Sequence, residues 1–319
     1  MAVNERARAE AARGGVVVAS IALYIVWGVT YLANRVAVAE LESFALAASR
    51  FVVAGALLYG WLRWRGVPSP TRPEWQAAAI AGLLLCLGNA FVAWAVHLLP
   101  LGIAAVLVAM TPAFLVLFDW LRPGGQRPSG RVAAGLVLGI VGIAVLMSTK
   151  NGSVRSFNPL GALLVLLGSI SWAGGSIYSR TAPRPASPFM LTASQMLSGG
   201  VALTPIALLL GQFRGVHLAQ FSATWWQGFV FLVFFGSIVG FSAYIYLLSH
   251  SSPATAGSYA FVNPVIAVII GALWLDEQLA PRAFVAFAII LVAVALIVSS
   301  TQPSRQTTSP APVDEPACV

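Results

Sequence analysis

The side chains in this sequence that could do chemistry are mostly neutral. Trp27, Thr30 and Asn34 fall near i, i+3 and i+7, which places them on one face of a helix. Trp172 and Ser176, at i and i+4, form a similar face. Asn89 and Tyr244 each interrupt an apolar run near its middle. Thr111 precedes Pro112, Tyr259 and Asn263 share a face, and Asn263 precedes Pro264. Such groups could hydrogen-bond the ammonium and carboxylate of an amino acid, with Trp and Tyr rings lining an apolar pocket. The same residue types also serve plain packing: hydroxyl and small residues join helices in a bilayer, and Trp populates interfacial belts. Pro112 and Pro264 predict helix kinks, because each frees a backbone carbonyl that needs a partner or a wet cavity.

The charged residues narrow the chemistry. Glu5, Glu10, Asp314 and Glu315 lie in the tails, and Glu40, Glu42, Glu74, Asp119, Asp276 and Glu277 at the ends of apolar runs. Proton-driven pumps usually hold a carboxylate inside the membrane. Its absence from the middle of every run predicts facilitated, gradient-driven transport rather than carboxylate-driven antiport of cationic drugs. His97 and His250 each end a run shortly before a Pro, at Pro100 and Pro253. They read either as interfacial helix caps or as proton-coupling or gating residues. Arg50 is the basic residue that lies well inside a run; it could gate or couple, snorkel to the surface, or pair with Glu42. Cys86 and Cys318 are far apart and form neither a disulfide framework nor a metal spacing. No nucleophile–base–acid set or ligand cluster stands out. The expectation is a protein that is not an enzyme, with no metal and no cofactor.

These residues must be positioned by elements, and the elements are apolar. Of the 319 residues, 59% are hydrophobic and 9% charged, whereas a soluble domain carries about 25% charged residues. Apolar segments recur at about 16–38, 43–63, 75–97, 101–121, 131–149, 159–180, 188–211, 225–249, 253–275 and 282–300. Runs near 20 residues suit spanning helices, and they are too evenly apolar for alternating barrel strands. The fold class expected is an all-α polytopic membrane protein of ten transmembrane helices. The net charge of +8 comes from basic residues set singly between apolar runs. That pattern is a topology signal, and it excludes a nucleic-acid partner as the main reading. The apolar run after the charged N-terminus is too long for a signal-peptide core, so it reads as a retained first span.

The sequence also repeats. "WGVTYLANR" begins at Trp27 and "WAGGSIYSR" at Trp172, an offset of 172 − 27 = 145. The same offset aligns residues 46–59 with 191–204, and Pro112 corresponds to Pro264 with a slightly larger one. The chain therefore divides into an N-terminal cytoplasmic segment (1–15), a first five-helix repeat (16–149), a second (159–300) and a Pro/Ser/Thr-rich disordered cytoplasmic tail (301–319). Five helices per repeat is odd, so the second copy must be inserted upside down. With the N-terminus inside, twelve arginines fall in cytoplasmic segments, against four arginines and Lys150 outside, as the positive-inside rule requires. Inverted repeats characterise secondary transporters that bind substrate at the midplane between halves.

The 5+5 repeat, "SRF" at 49–51, the prolines of the fourth and ninth spans and "LWLDEQL" at 273–279 resemble the EamA-type branch of the drug/metabolite transporter superfamily. The resemblance covers about residues 16–300. In that family each half typically ends its fourth helix with Gly-Glu; here the second half has Asp276-Glu277 and the first Gly125-Gln126. Within the family the chain is similar to the bacterial amino-acid exporters of the YddG type. The resemblance implies a bacterial inner-membrane protein with both termini cytoplasmic. It implies export of amino acids or similar small metabolites by alternating access. Trp27 and Trp172 would face the cavity. The lipid bilayer and a small-molecule substrate are the expected partners, and a monomer suffices because one chain carries both repeats. Purines, sugars and other neutral metabolites would also suit the polar groups.

Overall fold

The computed structural model describes residues 2–95, 97–98, 107–148, 158–274 and 281–299, and among these the chain is helical with no strand. The main helices are α1 (Ala2–Ala37), α2 (Ser43–Trp64), α3 (Arg72–Ala95), α4 (Thr111–Leu121) and α5 (Gly130–Ser148). They continue with α6 (Pro159–Thr181), α7 (Pro188–Leu209), α8 (Ala223–His250), α9 (Tyr259–Trp274) and α10 (Pro281–Ser299). Among the described residues, six stretches are long and apolar enough to cross a membrane: Gly14–Asn34 within α1, then α2, α3, α6, α7 and α8. The expected linker at 150–158 lies outside the described residues save for Asn158. The tail, Pro100, Asp276 and Glu277 lie outside them entirely.

Local chemistry sets the helix starts of the second half. The Asn158 side chain accepts from the backbone N–H groups of Leu160 and Gly161, and Pro159 follows it. Ser187 caps α7 ahead of Pro188, Ser222 caps α8, and Ser252 caps the short helix Pro253–Gly257. A side-chain oxygen at the cap satisfies a free N–H, and a proline just inside lacks the donor that would otherwise be orphaned.

The structure adds detail in three places. α1 begins at Ala2, so residues 2–13 extend as helix ahead of the span at Gly14–Asn34. The Ala, Glu and Arg residues of 2–13 are strong helix formers, and the helix runs on through Gly14 and Gly15. The ninth span is interrupted, Pro253–Gly257 being a short helix apart from α9. Pro112 occupies the first turn of α4, after helical Leu107–Val108 and a turn at Ala109–Met110. Pro264 does lie inside α9, and Pro205 lies inside α7.

Packing joins α2 to α7, α3 to α6 and α7, α5 to α10, α1 to α8 and α9, and α4 to α6. Exchanging each helix for the one five places on maps α2–α7 and α5–α10 onto themselves. It also maps α3–α6 onto α1–α8, and α4–α6 onto α1–α9. Glycines set the closest crossings. A Cβ on Gly55 would strike the Leu197 backbone, and a Cβ on Gly200 the Val52 backbone. Residue numbers fall in one helix as they rise in the other, so α2 and α7 cross antiparallel. The contact is also reciprocal, since 52 and 55 are 145 residues before 197 and 200. The α5–α10 pair is antiparallel too, with Gly135 against Ile297 and Gly142 against Ile290. Large side chains such as Val17, Ile25, Trp61 and Val292 stay exposed on the outer surface, as a lipid-facing wall requires.

Gly200→Ala should loosen the α2–α7 crossing and destabilise the protein by about 1–3 kcal/mol, the usual cost of overpacking. The check is a lowered Tm in detergent, with Gly60→Ala, which has open space around it, as the silent control.

Candidate functional site

A cavity of about 560 Å³ lies where the two halves meet. Its lining includes Trp27, Thr30 and Asn34 from α1, Arg50 from α2, Gly88 and Asn89 from α3 and Thr111 from α4. From the second half come Gly168, Ser169 and Trp172 of α6, Gly236 and Phe241 of α8, and Tyr259 and Asn263 of α9. No described residue of α5 or α10 lines it. At one end the cavity reaches Ala39 and His97, both exposed, so it opens there.

Aromatic rings floor the other end. Trp27 and Trp172 meet edge to face at 5.5 Å between ring centroids, and Phe241 packs 5.9 Å from Trp27 and 5.4 Å from Trp172. Tyr259 stands perpendicular to Trp27 at 4.7 Å. Such T-shaped pairs add about 0.5–1.5 kcal/mol each beyond simple burial. Each indole is also pinned. The Trp27 Nε1–H donates to the Gly236 carbonyl at 3.0 Å. That carbonyl belongs to a π-helical stretch of α8, Leu232–Val239, where the wider turn weakens the regular ladder. A Cβ on Gly240 would collide with the same indole.

Trp172 is held by a closed ring of hydrogen bonds. Its Nε1–H donates to the Tyr244 hydroxyl at 3.0 Å. Tyr244 and Ser176 share a bond of 2.5 Å, and the Ser176 hydroxyl donates back to the Trp172 carbonyl at 2.7 Å. A hydroxyl has one proton, so Tyr244 donates to Ser176 and the ring runs in one direction. Tyr244 is 0% exposed. Both residues therefore sit behind the cavity wall rather than in it, and their hydroxyls are already used. They position Trp172.

The polar wall is built by pairs. Thr30 donates to the Trp27 carbonyl at 2.6 Å. The Thr111 and Ser169 hydroxyls lie 3.0 Å apart, joining α4 to α6. Ser169 was not among the sequence candidates; its only signal is a hydroxyl beside a mid-run glycine. Gly88 and Gly168 line the cavity for the same hidden reason. A Cβ on either would approach the other's carbonyl, so the α3 and α6 backbones touch there. Asn263 is 3% exposed, and its side-chain oxygen has no hydrogen-bond donor among the described residues.

Arg50 neither snorkels nor pairs with Glu42. It is 3% exposed, and its guanidinium reaches Asn34 Oδ1 at 3.4 Å and Asn89 Oδ1 at 3.3 Å. It lies over the Phe51 ring at 4.4 Å. Glu42 is exposed at the N-cap of α2, two turns away. His97 lines the cavity mouth, but His250 does not line the cavity. His250 stacks on Tyr246 at 4.1 Å, with Nδ1 2.9 Å from the Tyr246 carbonyl. The two histidines, equivalent in sequence, are thus not equivalent in space. Pro112 and Pro264 flank the site through Thr111 and Asn263 without lining it.

The sequence matches the EamA-like transporter family twice, over residues 14–148 and 159–299. An uncharacterized inner membrane transporter of Escherichia coli (strain K12), YedA, is 40% identical over 282 residues, covering 88% of this chain and 89% of that protein. The uncharacterized transporter YvbV of Bacillus subtilis (strain 168) is 24% identical over 86% of this chain and 88% of its own length. Protein PecM of Dickeya dadantii (strain 3937) is 24% identical over 92% and 95% respectively. One crystal structure of a protein superimposes with a TM-score of 0.72 at 20% identity, over 89% of this chain and 96% of that one, which shows a shared fold. The chain belongs to the EamA-like transporter family, of the drug/metabolite transporter superfamily. It is a multi-pass membrane protein, and the family is one of transporters rather than enzymes. These names state no substrate.

Tyr244→Phe should break the ring and leave the Trp172 N–H without its acceptor. The expected loss is about 1–3 kcal/mol, read as a lower Tm in detergent. An unchanged Tm would mean that Trp172 is held by packing alone.

Proposed function

We propose that the protein is a secondary transporter of small metabolites, amino acids among them, working by alternating access between two inverted five-helix repeats. The observation that carries this reading is a cavity lined from both halves, open at the His97 end and closed by the Trp27–Trp172 floor. Alternating access needs a site between two bodies that can exchange which end is sealed. The reciprocal α2–α7 crossing, the helix exchange by five and the family's two separate matches support the division into repeats.

Beyond the floor, Asp119 of α4 bonds Arg122 at 2.7 Å and lies 3.6 Å from Arg180 of α6. This tie joins the first half to the second on the sealed side and must part when that side opens. With the N-terminus cytoplasmic, as the arginine bias favours, the cavity faces out and the tie lies within. A bacterial inner-membrane location follows the YedA relative. The lining comes from one chain, so a monomer is sufficient. The transporter works as an exporter or a gradient-driven facilitator. Aromatic walls and amides suit amino acids, including aromatic and other neutral ones; drugs, purines and sugars carried by proton coupling are the second reading, and His97 at the mouth is the group that favours it.

The test is flux of labelled neutral and aromatic amino acids into proteoliposomes, with and without a pH gradient. Saturable uptake indifferent to the gradient is the expected result. Trp172→Ala should weaken apparent affinity by roughly thirtyfold, the effect of losing an aromatic anchor of about 2 kcal/mol. Uptake that rises with the gradient and collapses in His97→Ala would instead establish proton coupling.

A further inference from the structure

We infer that Arg50, framed by Asn34 and Asn89, is a carboxylate-binding subsite, so that the cargo is a small carboxylic acid with an apolar or aromatic body. This rests on the reading of the cavity as the transport site.

A guanidinium offers five donors in a planar fork. Here two of them make bonds of 3.4 and 3.3 Å, both to neutral amide oxygens. Good N–H···O bonds are about 2.7–3.2 Å, so these are long. The third nitrogen, Nε, is buried with no partner among the described residues. No carboxylate of the described residues reaches the group: Asp119 serves Arg122 and Arg180, Glu40 serves Ser222, and Glu74 serves Thr71. A buried charge with no counter-charge is costly, and such groups mark ligand or ion pathways inside membranes.

The surroundings fit an incoming anion. Both amides turn their oxygens to the guanidinium, leaving their N–H groups to donate to a third party. Arg forks bind carboxylates bidentately, with shorter and stronger bonds than neutral pairs give. Asn263 presents its undonated oxygen to the same cavity, which suits an ammonium. Trp27 and Trp172 floor the cavity for the apolar part of the molecule. Cations lacking a carboxylate would meet Arg50 as a like charge.

The test uses the purified full-length protein and three probes of similar shape: phenylalanine, 3-phenylpropionate and phenylalaninamide. Binding is measured by calorimetry on the wild type, Arg50→Gln and Arg50→Lys, each first shown monodisperse in detergent. Phenylalanine and 3-phenylpropionate should bind, and phenylalaninamide should be weaker by about tenfold or more, the effect of losing a charge-assisted bond. Arg50→Gln should abolish that discrimination and Arg50→Lys retain part of it. Should Arg50→Gln fail to fold, the wild-type series and the lysine variant decide. Equal binding of phenylalaninamide, or discrimination that survives in Arg50→Gln, overturns the inference and leaves the transport reading standing. Failure of all three probes overturns it as well. In that event, uptake of a labelled purine or sugar by proteoliposomes decides whether the transport reading survives.

Discussion

Trp27 and Trp172 meet edge to face, and each is fixed by a hydrogen bond to a helix other than its own. Indole rings at that junction exclude water from one end of the molecule while leaving a cavity above them. The π-helical stretch of α8 supplies one acceptor and the buried Tyr244 the other. A single helix, α8, thus locks the tryptophans of both halves.

The floor can be sealed only because the backbones come close. Gly88 and Gly168 let α3 and α6 touch at the cavity, and Gly55 and Gly200 do the same for α2 and α7. Inside a bilayer, water exclusion does not drive helices together, so close van der Waals contact carries the association. Glycine crossings give that contact without interlocking large side chains. The α5–α10 pair stands apart from the cavity, packed through Gly135 and Gly142 and a core of Phe261, Ile143 and Ile290.

Electrostatics sets a second constraint. The cavity wall carries one guanidinium and, among the described residues, no carboxylate. Neutral amides lower the cost of that charge without cancelling it. The carboxylate subsite inferred at Arg50 would discriminate by charge sign as well as by shape, which apolar walls alone do poorly. Among the described residues, carboxylates serve the ends of helices, in the Asp119 tie and in contacts such as Glu40 with Ser222.

The amino-acid sequence by itself determined the helical class, because runs of about 20 apolar residues have no other stable state in lipid. It also determined much of the cavity wall. Trp27, Thr30 and Asn34 are read from helical spacing, and polar residues in the middle of apolar runs are too expensive to face lipid. Eight of the ten proposed binding residues line the cavity; Ser176 and Tyr244 stand behind it. Spacing within one helix cannot tell a first layer from a second. Only the tertiary structure separated His97 from His250, because a local stack on Tyr246 holds the latter outside. Only it settled Arg50, whose partners come from α1 and α3, 16 and 39 residues away. A long flexible side chain reaches several partners equally well on paper. Packing of three helices around it leaves Asn34 and Asn89.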